Sequence, residues 1–198
     1  MRVVLASSNA GKLRELGSLL APLGFELIAQ SSLGGVSPPE TGPTFAANAL
    51  LKARFAASLA NLPALADDSG IEVDALGGRP GVFSARYAGP GASDLENIHK
   101  MLDELRDIPD ASRTARYRCV IAFVRTPSDP APVLAEGAWD GCIVGMPRGS
   151  AGFGYDPLFL PKGLDRTAAE LAPEEKNALS HRGQALRALI AMLASQGV

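Results

Sequence analysis

The 198-residue sequence predicts an α/β fold, and three stretches carry the prediction. The apolar run Val3 to Ala6 is followed by a polar turn and then by leucines at helical spacing, which reads as strand, turn, helix. A second short apolar run, Pro63 to Ala66, ends in Asp67 and Asp68. That is the pattern of a buried strand whose carboxyl end brings charge to a ligand, where open α/β sheets bind. Arg116 to Arg125 is the longest strand signal. Tyr117, Cys119, Ile121 and Phe123 take one face, and Val120, Ala122 and Val124 take the other.

The remaining elements follow in order. Leu13, Leu16, Leu19, Leu20 and Leu23 stripe the first helix. Glu26 to Gln30 reads as a second strand, and the Gly- and Pro-rich residues 31 to 43 read as a loop. Thr44 caps a helix running to about Ala60, on which Asn48 and Lys52 lie four apart and share a face. Ile71 to Leu76 forms a short strand or turn, and Gly77 to Gly81 a glycine-rich turn. Asp94 caps a helix to about Leu105. Pro127 to Pro132 turns the chain, Val133 to Trp139 returns as a hairpin strand, and Gly141 to Val144 is a further strand or bulge. Short connections make this half antiparallel. Gly149 to Pro157 is a loop; Thr167 to Leu171, Pro173 to Leu179 and Ser180 to Ser195 are helical.

Composition narrows the function. Hydrophobic residues make up 46% and charged residues 20%, with a net charge of −2. This is an ordinary globular composition, and it supplies no global positive field for a nucleic-acid partner. A polyanionic small ligand needs local Lys and Arg instead. The two cysteines, Cys119 and Cys142, form no C-x-x-C pair and read as reduced thiols. No apolar run approaches the roughly 20 residues of a membrane span, and the amino terminus is too short in its apolar part for a signal peptide. A cytoplasmic location is expected.

Several motifs are excluded. A P-loop would need Gly at position 6 and Ser or Thr at position 13, where this chain has Ala6 and Leu13. There is no H-E-x-x-H, no G-x-S-x-G and no G-x-G-x-x-G after the first strand. What remains is Glu40, Asp67 and Asp68 with Lys12 and Lys52, and Lys176, His181 and Arg182 near the carboxyl terminus. Hard oxygen donors beside lysines suit Mg²⁺-assisted attack on a phosphate ester or anhydride. The turn at Ser7 to Lys12 also places small residues and a lysine at a helix amino terminus, a ready anion site. Asp67 and Asp68 are adjacent on an extended chain, so they point to opposite sides. The same Asp-Asp-Ser-Gly stretch is equally compatible with a turn.

Six segments, in order and across nearly the whole chain, resemble the inosine triphosphate pyrophosphatase family in its bacterial dITP/XTP diphosphatase branch. They are Ser7 to Glu15; Glu40-Thr41-Gly42 with Asn48 and Lys52; Ala66 to Gly70; Ala75 to Gly81; Phe153 to Pro157; and Glu175 to Ala178 through Ser180 to Gly183. The departure is Ser7-Ser8 where Thr-Gly is common. The resemblance implies a two-lobed α/β domain spanning 1–198, an elongated mixed central sheet flanked by helices, and a deep cleft between the lobes. It implies a homodimer using Mg²⁺ to hydrolyse ITP, dITP and XTP to the monophosphate and pyrophosphate.

Carried over by motif, Ser7, Ser8, Asn9, Ala10, Gly11 and Lys12 would wrap the triphosphate, with Lys52 adding charge and Ser69 nearby. Glu40 and Asp68 would hold Mg²⁺ with Asp67 close by, and Asp68 would be the catalytic base, with activation of the water by the metal itself as the alternative. Phe153, Gly154, Tyr155, Asp156, Lys176, His181 and Arg182 would bind the base. The 116 to 144 hairpin is the expected dimer contact. The competing readings are a Maf-type dTTP/UTP pyrophosphatase and a nucleotide-binding regulator that does not hydrolyse. A haloacid dehalogenase-type phosphatase would need Asp-x-Asp where this chain has Ser7-Ser8-Asn9.

Overall fold

The computed structural model describes residues 1–7, 9–20, 24–34 and 38–197. Val3, Val4, Leu5 and Ala6 are all buried, so the first strand, β1 (Arg2–Ala6), has apolar neighbours on both faces, as interior parallel strands do. It runs parallel to β2 (Glu26–Ala29) and to β3 (Ala64–Val73), with Leu5 opposite Leu65 and Ala6 opposite Ala66. β4 (Thr114–Val124), β5 (Val133–Ile143) and β6 (Phe159–Pro161) complete a mixed six-stranded sheet in the order β2-β1-β3-β4-β5-β6, with β6 antiparallel to β5. The helices are α1 (Ala10–Leu20), α2 (Phe45–Ala60), α3 (Asp94–Glu104), α4 (Pro173–Leu179) and α5 (His181–Ser195). The α/β class expected from the sequence is the class observed.

The helix starts follow local chemistry. The Asn9 side-chain oxygen Oδ1 accepts from the amides of Gly11 (2.9 Å) and Lys12 (3.1 Å) and so caps α1. Thr44 accepts from the Ala47 amide at 3.2 Å and caps α2 as expected. α3 is capped by Ser93 in a reciprocal pair with Glu96, not by Asp94. The Asp94 carboxylate instead accepts from the Gly154 amide at 2.6 Å. Leu16 and Leu20 on α1 are buried, each contributing about 2 kcal/mol; Leu23, Ser8 and residues 35–37 of the expected loop lie outside the described residues.

The strand boundaries depart from the sequence reading in three places. β3 does not stop at Ala66 or turn at Asp67. It is a ten-residue strand running through both aspartates to Val73. β5 is one eleven-residue strand through Asp140 and Gly141, not a hairpin strand plus a bulge. Gly141 allows this because a Cβ there would lie 2.3 Å from the Leu160 carbonyl oxygen of β6. β6 is too short to carry a periodic signal. Short 3₁₀ turns stand at Gln30–Leu33, Asp74–Leu76, Gly81–Arg86 and Ala168–Glu170, the last where a helix is expected.

The chain forms two compact units, residues 1–68, 119–137 and 182–198, and residues 69–118 and 138–181. Each has its own core. In the first, Val3, Leu5, Leu16, Leu20 and Leu65 pack with Cys119, Ile121 and Phe123 of β4 and Leu186, Leu189 and Leu193 of α5. In the second, Ile71 and Val73 pack with Met101, Leu105, Tyr117, Trp139, Leu158 and Phe159. Among the described residues, no helix is long and apolar enough to cross a membrane.

Candidate active site

In the first unit, β3 alternates, and its two aspartates meet different helices. Asp67 is fully buried. Its Oδ2 accepts from Lys12 of α1 (3.0 Å) and twice from Arg182 of α5 (3.2 Å each). Arg182 also pairs with Glu15, one turn along α1 from Lys12. Asp67 Oδ1 is buried without a hydrogen-bond partner. Burial pushes the Asp67 carboxyl up, but Lys12, Arg182 and Lys52 outweigh it and hold the group well below the usual carboxylate range.

Asp68 meets α2 instead. Its Oδ1 accepts from Lys52 at 3.0 Å and its Oδ2 from the Asn48 amide at 3.1 Å. The Lys52 ammonium reaches Glu40 as well, at 2.7 Å, so two carboxylates converge on one cation. Burial raises the proton affinity of Asp68, and Glu40 adds to it against the opposing charges of Lys52 and Lys12. Burial alone would lower the Lys52 pKa; Asp68, Asp67 and Glu40 reverse that and hold it raised.

The turn before α1 lies in the same unit. Ser7 is buried, and its Oγ accepts from the Asn9 amide at 3.2 Å. Gly11 and Lys12 both point their amides at Asn9, so the helix amino terminus is ordered by the chain's own side chain. Ala10 opens the helix. Ser8 is outside the described residues. Ser69, which follows Asp68 on β3, begins the second unit and is half-buried.

In the second unit, Asp156 organises the expected base-binding loop. Its Oδ2 accepts from the Phe153 amide (2.8 Å) and Lys176 (2.6 Å), and its Oδ1 from the Tyr117 hydroxyl (3.3 Å). Gly152 makes room for this, since a Cβ there would lie 2.1 Å from Asp156 Oδ2. Lys176 also sits 5.1 Å over the Phe153 ring. Gly154 adopts a left-handed φ of 62° and is held by Asp94. Tyr155 is buried and donates to the Ser84 carbonyl at 2.8 Å. It anchors the loop, so of the two aromatics Phe153 is the more exposed. The buried His181 ring stacks on Tyr117 at 4.6 Å and 6°.

Most of the expected residues therefore gather into two groups, Ser7, Asn9 to Lys12, Glu40, Lys52, Asp68 and Arg182 in one unit, and Phe153 to Asp156, Lys176 and His181 in the other. Glu15, Tyr117 and Ser84 were not anticipated. Glu15 carried a signal, lying three residues from Lys12 on one helix face. Tyr117 and Ser84 carried none.

The donor set fits a hard divalent cation. Glu40 and Asp68 already converge on one cation, the Lys52 ammonium, and so give a pair of carboxylates at one charged point. Among the described residues, no group of three or more His, Cys, Asp or Glu could hold a metal ion. Mg²⁺ is commonly held by one or two carboxylates with water and phosphate oxygens supplying the rest.

The model of the Ham1 family matches residues 3–192. A dITP/XTP pyrophosphatase from Pectobacterium atrosepticum is 55% identical over 189 residues, 96% of each chain. One from Shigella flexneri is 54% identical over the same share. Among solved structures, a HAM1 protein from Coxiella burnetii superposes with a TM-score of 0.90 at 50% identity, covering 98% of this chain and 99% of that one. A nucleoside-triphosphatase / dITP/XTP pyrophosphatase from Mycobacterium abscessus gives 0.76 at 47% identity, covering 96% and 99%.

Proposed function

The chain belongs to the Ham1 family, and we propose that it is a Mg²⁺-dependent nucleoside triphosphate pyrophosphatase. Its substrates are dITP, ITP and XTP, and its role is to clear deaminated purines from the nucleotide pool. The observation that supports this most is Asp68. It is a buried carboxylate whose two oxygens are held by Lys52 and Asn48, and it shares Lys52 with Glu40. A base has to be held at a fixed place to take a proton from an attacking water.

In this reading a water oxygen attacks the α-phosphorus. The bond from that phosphorus to the oxygen bridging it to the β-phosphorus breaks, and the monophosphate and pyrophosphate result. Asp68 takes the proton of the water. Lys12 and Lys52 place positive charge on the phosphates, and Ser7, Ser8 and the Asn9-ordered turn through Ala10 and Gly11 shape the phosphate pocket, with Ser69 beside Asp68. Glu40 and Asp68 would hold Mg²⁺, which when bound neutralises phosphate charge and lowers the pKa of water. Arg182, expected to bind the base, is turned to Asp67 and Glu15, and in this reading it acts through Asp67, fixing the carboxylate that orients Lys12.

Phe153 is assigned to stack on the purine, with Lys176 and His181 as donors to its 6-oxo group and Gly154, Tyr155 and Asp156 setting the loop. A 6-amino group in place of that acceptor leaves donors unpaired, which disfavours ATP. A single two-lobed domain, a homodimer contacting through the 116–144 hairpin, and a cytoplasmic location complete the proposal. ³¹P NMR of dITP with Mg²⁺ tests the chemistry: pyrophosphate and the monophosphate are expected as first products. Orthophosphate as the first product would overturn it.

A further inference from the structure

We propose that Asn48 is a positioning residue for Asp68, and that the Gly42 backbone sets which end of the Asn48 amide faces that carboxylate. The proposal deepens the pyrophosphatase reading and rests on it, since Asp68 is the base there. Asn48 is fully buried on α2, one turn before Lys52. Its Oδ1 accepts from the Gly42 amide at 2.7 Å, and its Nδ2 donates to Asp68 Oδ2 at 3.1 Å. A backbone N–H can only donate. It holds the oxygen end of the amide toward Gly42 and so turns the NH₂ end toward Asp68. A flipped amide would set donor against donor at Gly42 and acceptor against acceptor at Asp68.

Lys52 holds the other oxygen of Asp68, Oδ1, at 3.0 Å. Each oxygen of the carboxylate thus has a donor from the same helix, and the two donors lie four residues apart on one face. The plane of the carboxylate is fixed by α2 and not left to rotate.

The Gly42 side of the relay is as tightly built. A Cβ at Gly42 would lie 2.7 Å from Asn48 Oδ1 and 2.8 Å from the Ala47 Cβ, so the backbone approaches this closely only as glycine. Glu40 lies two residues before Gly42 and reaches Lys52 at 2.7 Å. The amide that orients Asp68 therefore also latches the segment carrying Glu40.

The test is kcat and KM for dITP with Mg²⁺ in Asn48→Ala, Asn48→Asp and Gly42→Ala, normalised to the folded fraction by circular dichroism. Asn48→Asp is isosteric and keeps an acceptor toward Gly42, but turns a second acceptor toward Asp68. Gly42→Ala disturbs the latch without altering any group on Asp68. A small misplacement at a reacting group costs on the order of 100-fold, so kcat is expected to fall about 100-fold in both Asn48 variants and about 10-fold in Gly42→Ala. KM should stay within about 3-fold, the signature of an interaction used in the transition state.

A kcat within about 3-fold of the unsubstituted chain in Asn48→Asp would overturn the proposal. So would a loss of rate that only tracks the loss of folded protein. If Asn48→Ala does not fold, the other two variants decide. An unsubstituted chain that does not turn over dITP is a separate result, seen before any variant is compared, and it would overturn the pyrophosphatase reading itself.

Discussion

Asp67 and Asp68 are neighbours on one strand, yet one is surrounded by cations while the other is held by an amide and by a lysine that it shares with a second carboxylate. Three donor groups on Lys12 and Arg182 converge on a single oxygen of Asp67, and Glu15 backs the arginine from α1. Asp68 shares its lysine with Glu40 and takes its other hydrogen bond from neutral Asn48. The proton affinities move in opposite directions as a result, down for Asp67 and up for Asp68. The difference teaches that one strand can place two carboxylates of opposite electrostatic character side by side, the second being the one proposed to do chemistry. Alternation sends them to different helices, and each helix supplies a different charge.

The largest effect that separates the two is on rate. Asp68→Asn removes the proposed base and keeps the shape, and kcat for dITP should fall about 1,000-fold, within the range general-base removal gives. Pyrophosphate release measures it, and circular dichroism should show a native fold. Near-natural turnover would make the two aspartates equivalent and dissolve the comparison.

Stability should separate them in the other direction. Asp67→Asn leaves buried Arg182 and partly buried Lys12 without their shared carboxylate, and removing one partner of a buried pair costs about 3 to 5 kcal/mol. Urea unfolding of Asp67→Asn and Asp68→Asn checks this, and the first should lose clearly more. Equal losses would mean that the cation cluster is not what sets Asp67 apart.

Acid titration sharpens the contrast further. A carboxyl whose folded pKa lies below its unfolded value of about 3.9 adds stability above that value, and the contribution is lost as pH falls toward the folded pKa. Asp67 is this case. Asp68 has the opposite sign: its raised folded pKa favours the protonated form in the fold, so its contribution is present at low pH and is lost as pH rises through the folded value. In the metal-free chain, ¹³C carboxyl NMR should show Asp68 binding a proton above the ordinary aspartate range while Asp67 remains ionised. Protonation in the reverse order would contradict the assignment.

The smallest effect concerns Cys119, buried behind Asp67. Burial, with the Asp67 charge, pushes its thiol up to about 12. Cys119 should resist a disulfide reagent at mildly alkaline pH until the chain unfolds, whereas half-buried Cys142 should react first. Rapid native modification of Cys119 would show that the Asp67 side is open to solvent.

Much of this fold was legible in the sequence because apolar spacing reports it directly: β1, α1, α2 and β4 all stand close to where their periodicity places them. β3 was shortened because Asp67 and Asp68 look like the end of a buried run. The cations that let the strand continue come from elsewhere in the chain, Arg182 from 115 residues away. Residue type and order brought Lys12, Glu40, Lys52, Asp67 and Asp68 forward as one set. Pairing did not follow from order: nothing in local spacing says that Arg182 meets Asp67 and Glu15, or that Tyr155 turns its hydroxyl to Ser84 and serves as an anchor. β6, at three residues, is shorter than any period it could display.

The most direct test of the central claim is pyrophosphate release from dITP, ITP, XTP, GTP, ATP and TTP, with and without Mg²⁺, in one experiment. Fast Mg²⁺-dependent release from dITP, ITP and XTP, with GTP and ATP far slower, is the result expected. Preference for TTP, or no release from any nucleotide, would contradict it.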